Sequence, residues 1–183
     1  MTREGALLVI LGVVVVLLGL GVLAWRRRAH RDSGIVPPLG EIPADAAVTH
    51  ASSGFYVATT RRDQPLERLA VRGLGFRSRA DVTVTSRGVA LELPGQPSFF
   101  VPIEAVDAAE TATVAIDRVV EPGGLVRLAW RADRTDGTHE PVDTYLRPQD
   151  GSALSLAAAI EATLPPAVLP PSDSTATPTG HDA

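Results

Sequence analysis

Residues 5–25, GALLVILGVVVVLLGLGVLAW, hold no charged side chain, and Arg26, Arg27, Arg28, His30 and Arg31 follow directly. At about 1.5 Å of rise per residue such a run makes a helix of roughly 31 Å. A bilayer's hydrocarbon core is about 30 Å thick, and a helix pairs its own backbone N–H and C=O groups, the condition for lying in lipid. The rival reading is a cleaved signal peptide, whose apolar region is about 7–15 residues long and ends at small residues. Val22-Leu23-Ala24 resembles such a site, but the run is longer and the arginines behind it oppose translocation. The sequence predicts an uncleaved signal-anchor, a transmembrane helix over 5–25.

Direction follows from the basic residues flanking the span. Arg3 and Glu4 precede it, while Arg26, Arg27, Arg28 and Arg31 follow. The excess predicts a single-pass protein of the cell membrane, with residues 1–4 outside and everything after the span in the cytoplasm. The same four arginines are candidate contacts for anionic lipid headgroups, each contributing about 1 kcal/mol near a charged leaflet. The plainer reading is that they only fix topology. Gly5, Gly12 and Gly19 recur every seven residues and drift only about 20° per repeat, so they share a helix face. Small residues on one face let two membrane helices approach, which makes these glycines a candidate homodimer seam. Glycine is also simply common in membrane helices.

Charge is uneven along the chain. Residues 1–31 carry five Arg and one Glu, a net of +4; residues 32–164 carry twelve Arg against eighteen acids, a net of −6. A basic anchor with an acidic domain argues against nucleic-acid binding. The absence of Cys excludes disulfides and thiol chemistry. Residues 26–53 form a basic juxtamembrane segment and linker, with Pro37-Pro38, Gly40 and Pro43. As a flexible coil, its last 22 residues would reach about 5–6 Å × √22, or roughly 26 Å.

From Gly54 the pattern becomes short β-rich runs between turn residues. Phe55–Thr60 predicts a first strand, and Leu66, Leu69 and Val71 leave 65–72 open between strand and short helix. Residues 77–85 alternate, with Val82 and Val84 opposite Asp81, Thr83 and Thr85. Ser86-Arg87-Gly88 predicts a three-residue turn, and Val89, Leu91 and Leu93 resume the period of two. Phe99–Val101 predicts another strand, 102–110 a brief helical turn, and 111–120, 125–130 and 142–146 further strands. Asp150-Gly151-Ser152 predicts a cap for a helix from Ala153 to about Leu164, with Leu156, Ile160 and Leu164 inward. Residues 165–183 are rich in Pro, Ser and Thr and predict a disordered tail, whose Pro166-Ala-Val-Leu-Pro170 has PxxP spacing.

The order of VTVTSRGVALEL, FFVPIEAVDAAE, LVRLAW, VDTYLRP and ALSLAAAIEAT resembles the pleckstrin-homology-like (PH-like) fold. With the anchor in front, the chain resembles actinobacterial single-pass membrane proteins carrying a bacterial PH-like domain. That resemblance implies a seven-stranded antiparallel sandwich or barrel over 54–164, closed by the C-terminal helix. It also implies anionic-headgroup binding by basic residues on the first strands. Arg77-Ser78-Arg79 stands at a comparable place, with Arg61 and Arg62 upstream; residues 61–87 carry a local +4. Arg77 and Arg79 are also readable as the solvated face of an amphipathic strand.

Catalytic signatures are missing from the sequence: no P-loop, no GxGxxG after a strand, no GxSxG. His30, His50, His139 and His181 lie in separate polar stretches without metal-ligand spacing. Gly73-Leu74-Gly75 reads as a turn. Glu104, Asp107 and Glu110 would share one face of a helix and read as a solvated acidic face rather than a cation site. The sequence thus predicts no enzyme, no cofactor and no metal. It predicts a membrane-anchored scaffold for an unidentified protein partner or the inner leaflet, or alternatively an accessory subunit of a transport or export system.

Overall fold

The computed structural model describes residues 3–115, 118–119 and 124–165. The first element, α1, runs Arg3–Asp32, a helix of 30 residues, or about 45 Å. Its apolar part has a mean hydropathy of 3.2 and is wholly uncovered by protein, so one N-terminal helix is long and apolar enough to cross a membrane. The helix does not stop where the apolar run stops. It carries the arginine block through two further turns and ends on the domain itself.

Among the described residues ten strands follow: β1 Val48–Arg61, β2 Gln64–Arg68, β3 Ser78–Thr85, β4 Gly88–Glu92, β5 Phe99–Pro102, β6 Val106–Ala112, β7 Val114–Ala115, β8 Arg118–Val119, β9 Leu125–Asp133 and β10 His139–Pro148, then α2, Ala153–Glu161. Seven lie in one antiparallel path, β5-β4-β3-β1-β10-β9-β6, with β2 added beside β1 and β7-β8 as a separate hairpin. The long β1 joins the two halves. Its first part, Val48–Tyr56, pairs with β3, and its second part, Gly54–Arg61, pairs with β10. At Gly54 both neighbours close in, and an added Cβ would lie 2.2 Å from the Arg147 carbonyl oxygen. Alternation does the rest: in β3, Ala80, Val82 and Val84 are buried while Arg79 and Asp81 face water. Tyr56, Phe99, Leu128, Leu146, Leu156 and Ile160 meet in a single core.

The curled sheet has two openings, and each is covered. Ser152 caps α2 by accepting a hydrogen bond from the Ser155 N–H at 3.0 Å, and Ala153, Leu156, Ala157 and Ile160 enter the core. The Glu161 carboxylate accepts from the Ala109 N–H at 2.6 Å, satisfying an orphan donor of edge strand β6. Ser152→Ala is expected to cost about 1 kcal/mol, read as a lower denaturation midpoint; an unchanged midpoint would show the cap to be idle. At the opposite opening a strap, residues 33–40, crosses from the β9–β10 hairpin to β5. Val36 N–H donates to the Asp133 carbonyl at 2.8 Å and Phe100 N–H to the Pro38 carbonyl at 2.8 Å. Ile35, 6% exposed, belongs to the core.

Several expectations need correction. Residues 33–40 are not a free coil: the strap's backbone is paired and Ile35 has an apolar seat to fill. β1 starts at Val48, six residues before Gly54, because β3 offers it a partner edge back to Thr85. The turn after β3 has two residues, Ser86 and Arg87, since Thr85 and Gly88 already face each other. Helical character in 102–110 shrinks to a 3-10 turn, Ile103–Ala105, before β6. Glu104, Asp107 and Glu110 therefore never share a helix face. The strand expected over 111–120 is split between the end of β6 and the β7–β8 hairpin, and α2 ends at Glu161, short of Leu164. Residues 166–183 of the tail, with the PxxP segment 166–170, lie outside the described residues.

Candidate functional site

Beside the end of α1 the surface opens into a groove of about 710 Å³, whose wall includes Trp25, Leu66, Arg72, Phe76 and Gln96. Local sequence explains its shape. Pro65 cannot donate to a ladder, which suits β2 to an edge position, and β2 pairs with the end of β1. Beyond it, Leu69, Val71 and Leu74 turn inward and are buried. Leu69 N–H donates to the Thr59 carbonyl at 2.8 Å and Leu74 N–H to the Val71 carbonyl at 3.0 Å. Gly73 takes φ 83° with no room for a Cβ, which would meet the Phe99 ring at 2.6 Å. With those three apolar residues inside, Leu66 before them, Arg72 among them and Phe76 after them face outward. The expected Gly73-Leu74-Gly75 turn is present.

A buried polar chain fixes this loop to the sheet. The Tyr56 hydroxyl donates to the Leu74 carbonyl oxygen at 2.6 Å. It lies 3.0 Å from Thr59 Oγ1, which lies 2.9 Å from Thr144 Oγ1. Trp130 Nε1–H donates to Thr144 Oγ1 at 2.9 Å. A carbonyl can only accept and each hydroxyl has one proton, so the chain runs in one sense: Trp130 to Thr144 to Thr59 to Tyr56 to Leu74. Burial pushes the Tyr56 phenol up to about 12.

The join between α1 and the domain is equally specific. Asp32, 1% exposed, accepts from the Ala70 N–H at 3.1 Å and pairs with Arg61 at 3.2 Å. Arg31 pairs with Asp32 at 3.2 Å and with Glu67 at 2.8 Å. Arg61 also reaches Glu140 at 3.1 Å, which in turn holds Arg134 at 2.9 Å. A helix end, β1, β2 and the β9–β10 hairpin thus share one network.

The candidate arginines divide accordingly. Arg31 is bound into the join. Arg26 and Arg27 are exposed on the preceding turn, and nothing is described of the Arg28 side chain. Arg61 and Arg62 are not an open basic patch: Arg62 pairs with Asp107 at 2.9 Å and with the buried Asp143 at 3.3 Å. Arg72 and Arg79 are exposed, and the Arg77 guanidinium lies over the Phe55 ring, 4.7 Å from its centre. Gly12 and Gly19 face open space on α1.

Of the three acidic residues expected to share a face, Asp107 and Glu110 are paired with arginines, while Glu104 meets Arg131 only through its backbone carbonyl. Asp107 also meets Arg131 at 3.4 Å, and Glu110 and Asp143 hold Arg127. The Glu110 hydrogen bond, opposed by burial and helped by the Asp143 charge, raises the Arg127 pKa above its ordinary value. Of the histidines, His139 pairs with Asp133 across the exposed hairpin at 2.9 Å, and His181 lies outside the described residues. Among the described residues no group of three or more His, Asp or Glu is placed to hold a metal ion.

Sequence reasoning missed Leu66, Phe76 and Asp32. The first two lie in a stretch without a clean period, and Asp32 reads as a polar residue of the linker. A signal for Phe76 was nevertheless present: an aromatic between Gly75 and Arg77 belongs to no apolar alternation.

A curled antiparallel sheet plugged by a C-terminal helix is the architecture of a PH-like domain. The chain belongs to the bacterial PH domain-like family, which matches residues 36–161. The match begins at Val36, within the strap. None of the curated proteins matches the chain.

Proposed function

We propose that this protein is a membrane-anchored, single-pass module that acts by binding rather than by turnover, holding its PH-like domain at the inner leaflet for interaction with lipid or a protein partner. One observation carries the reading: α1 runs without a break from its apolar span into Asp32, which is buried in the domain. A domain joined in this way cannot drift from the bilayer as a coil-tethered one would. Arg26, Arg27, Arg72, Arg77 and Arg79 supply positive charge on the membrane-proximal side, where an anionic leaflet attracts it. PH-like domains are generally non-catalytic, in keeping with binding as the activity. Extraction and protease access test the proposal together. Alkaline carbonate should leave the full chain in the membrane, and protease added to intact spheroplasts should spare everything beyond Arg31. Release by carbonate, or digestion of the domain from outside, would overturn it.

A further inference from the structure

We propose that Leu66 and Phe76 enter the lipid headgroup layer beside Trp25, so that the domain is a second, peripheral membrane contact and not merely cargo on the anchor. The inference rests on the reading of α1 as a membrane span. Phe76 is 85% exposed, Leu66 69% and Trp25 68%, and all three border the same groove. Leu39, Val48 and Leu154 are exposed as well, but they stand apart, whereas Leu66 and Phe76 share one groove with Trp25.

Depth follows from the helix. Trp25 closes the apolar run and is the residue type that settles at a membrane–water interface. Asp32 lies seven residues further, about 10 Å along the axis. Core and headgroup layers together make a bilayer of about 40–45 Å around a core of about 30 Å, leaving roughly 5–8 Å of headgroups on each side. Asp32, inside the domain, thus stands near the outer limit of the headgroups, and a wall that reaches back to Trp25 has to lie among them. The join at Asp32, Arg61 and Ala70 keeps the domain from turning this wall away. The surrounding charge agrees: Arg72 and Arg77 flank Phe76 and suit anionic headgroups, while the apolar tips suit the acyl boundary below. A soluble protein partner would account for exposed apolar residues but not for their alignment with Trp25.

The chain has no cysteine, so single-cysteine variants of the full-length protein report depth directly. Leu11→Cys, Leu66→Cys, Phe76→Cys and Leu154→Cys, each spin-labelled, would be placed in nanodiscs of phosphatidylglycerol and phosphatidylcholine. Relaxation by dissolved oxygen and by a water-soluble nickel chelate would then be compared. Leu11 marks the span, and Leu154, exposed on α2, marks solvent. The expected result is an oxygen-to-nickel ratio at positions 66 and 76 between those two references, falling towards the Leu154 value in detergent. A Leu11 label at lipid depth with labels at 66 and 76 as wet as Leu154 would overturn the insertion while leaving the anchor intact. A Leu11 label open to nickel would overturn both. Because both side chains are exposed, their replacement leaves the core untouched. Phe76→Asp in the Leu66→Cys background provides a second reading: it should raise nickel access at position 66 several-fold, and unchanged access would count against a shared inserted tip.

Discussion

Asp32→Ala is expected to destabilise the domain by about 3–5 kcal/mol, the range for removing one partner of a buried ion pair. Three losses coincide at this position. Arg61, whose side chain is only 10% exposed, loses the carboxylate that faces it at 3.2 Å. The Ala70 N–H loses its acceptor at 3.1 Å, and the helix end loses its seat against β2. Arg31 adds little, since its side chain is 45% exposed and water screens the pair. Glu140 tempers the loss by keeping one contact with Arg61 at 3.1 Å. Urea titration of the full chain in detergent, followed by Trp130 emission in a Trp25→Phe background, measures the effect. Asp32→Asn should fall between wild type and Asp32→Ala, because an amide oxygen can still accept from Ala70 but carries no charge. A loss below about 1 kcal/mol for Asp32→Ala would mean that the pair is solvated and the join loose. The same substitution should let the domain rotate more freely on its anchor, seen as lower fluorescence anisotropy of a probe on Leu154→Cys.

The parts of the fold written as regular alternation were legible. Val82 and Val84 opposite Asp81 define β3 without any tertiary information, and Leu156 with Ile160 marks the inward stripe of α2. The family order followed from those pieces. What failed was anything settled by a distant partner. Residues 33–40 look like a proline-rich coil because no local period says that Ile35 will fill an opening lined by Trp130 and Val142. Glu104, Asp107 and Glu110 have helical spacing, yet β9 offers an open edge from Leu125 to Trp130, and pairing with it outweighs a short isolated helix. The candidate basic patch shows the same limit. Counting charges gives residues 61–87 a surplus of arginine, but Arg61 and Arg62 are matched by Asp32, Glu140, Asp107 and Asp143, far away in sequence. The arginines left facing outward include Arg72, Arg77 and Arg79, next to the apolar tip that periodicity passed over, and Arg87, which meets Asp45 at 3.6 Å.

The second large effect is expected in alkali and centres on Tyr56. Burial raises its phenol from an ordinary value of 10 to about 12, with the Thr59 hydrogen bond opposing the shift. Below pH 10 the folded and unfolded chains both keep this proton, and the stability it contributes is fully present. Between pH 10 and 12 the unfolded chain releases a proton that the folded chain retains, so unfolding becomes progressively easier. Two pKa units at about 1.4 kcal/mol each give a total loss of roughly 3 kcal/mol. Tyr145, raised by burial and then by the neighbouring Asp143 charge, acts in the same direction. Tyr56→Phe separates the two contributions. At pH 8 it should be less stable by about 1–3 kcal/mol, because the Leu74 carbonyl loses its donor in a buried setting. From pH 10 to 12 it should lose less than wild type, so the two stability curves converge. Parallel curves over that interval would show that Tyr56 titrates as an exposed phenol. Convergence would place the Tyr56–Leu74 bond where the geometry has it, at the inner end of the loop whose outer end carries Phe76. The variant should then also show greater mobility of a spin label at Phe76→Cys, since the chain from Trp130 to Leu74 is what holds that loop against the sheet.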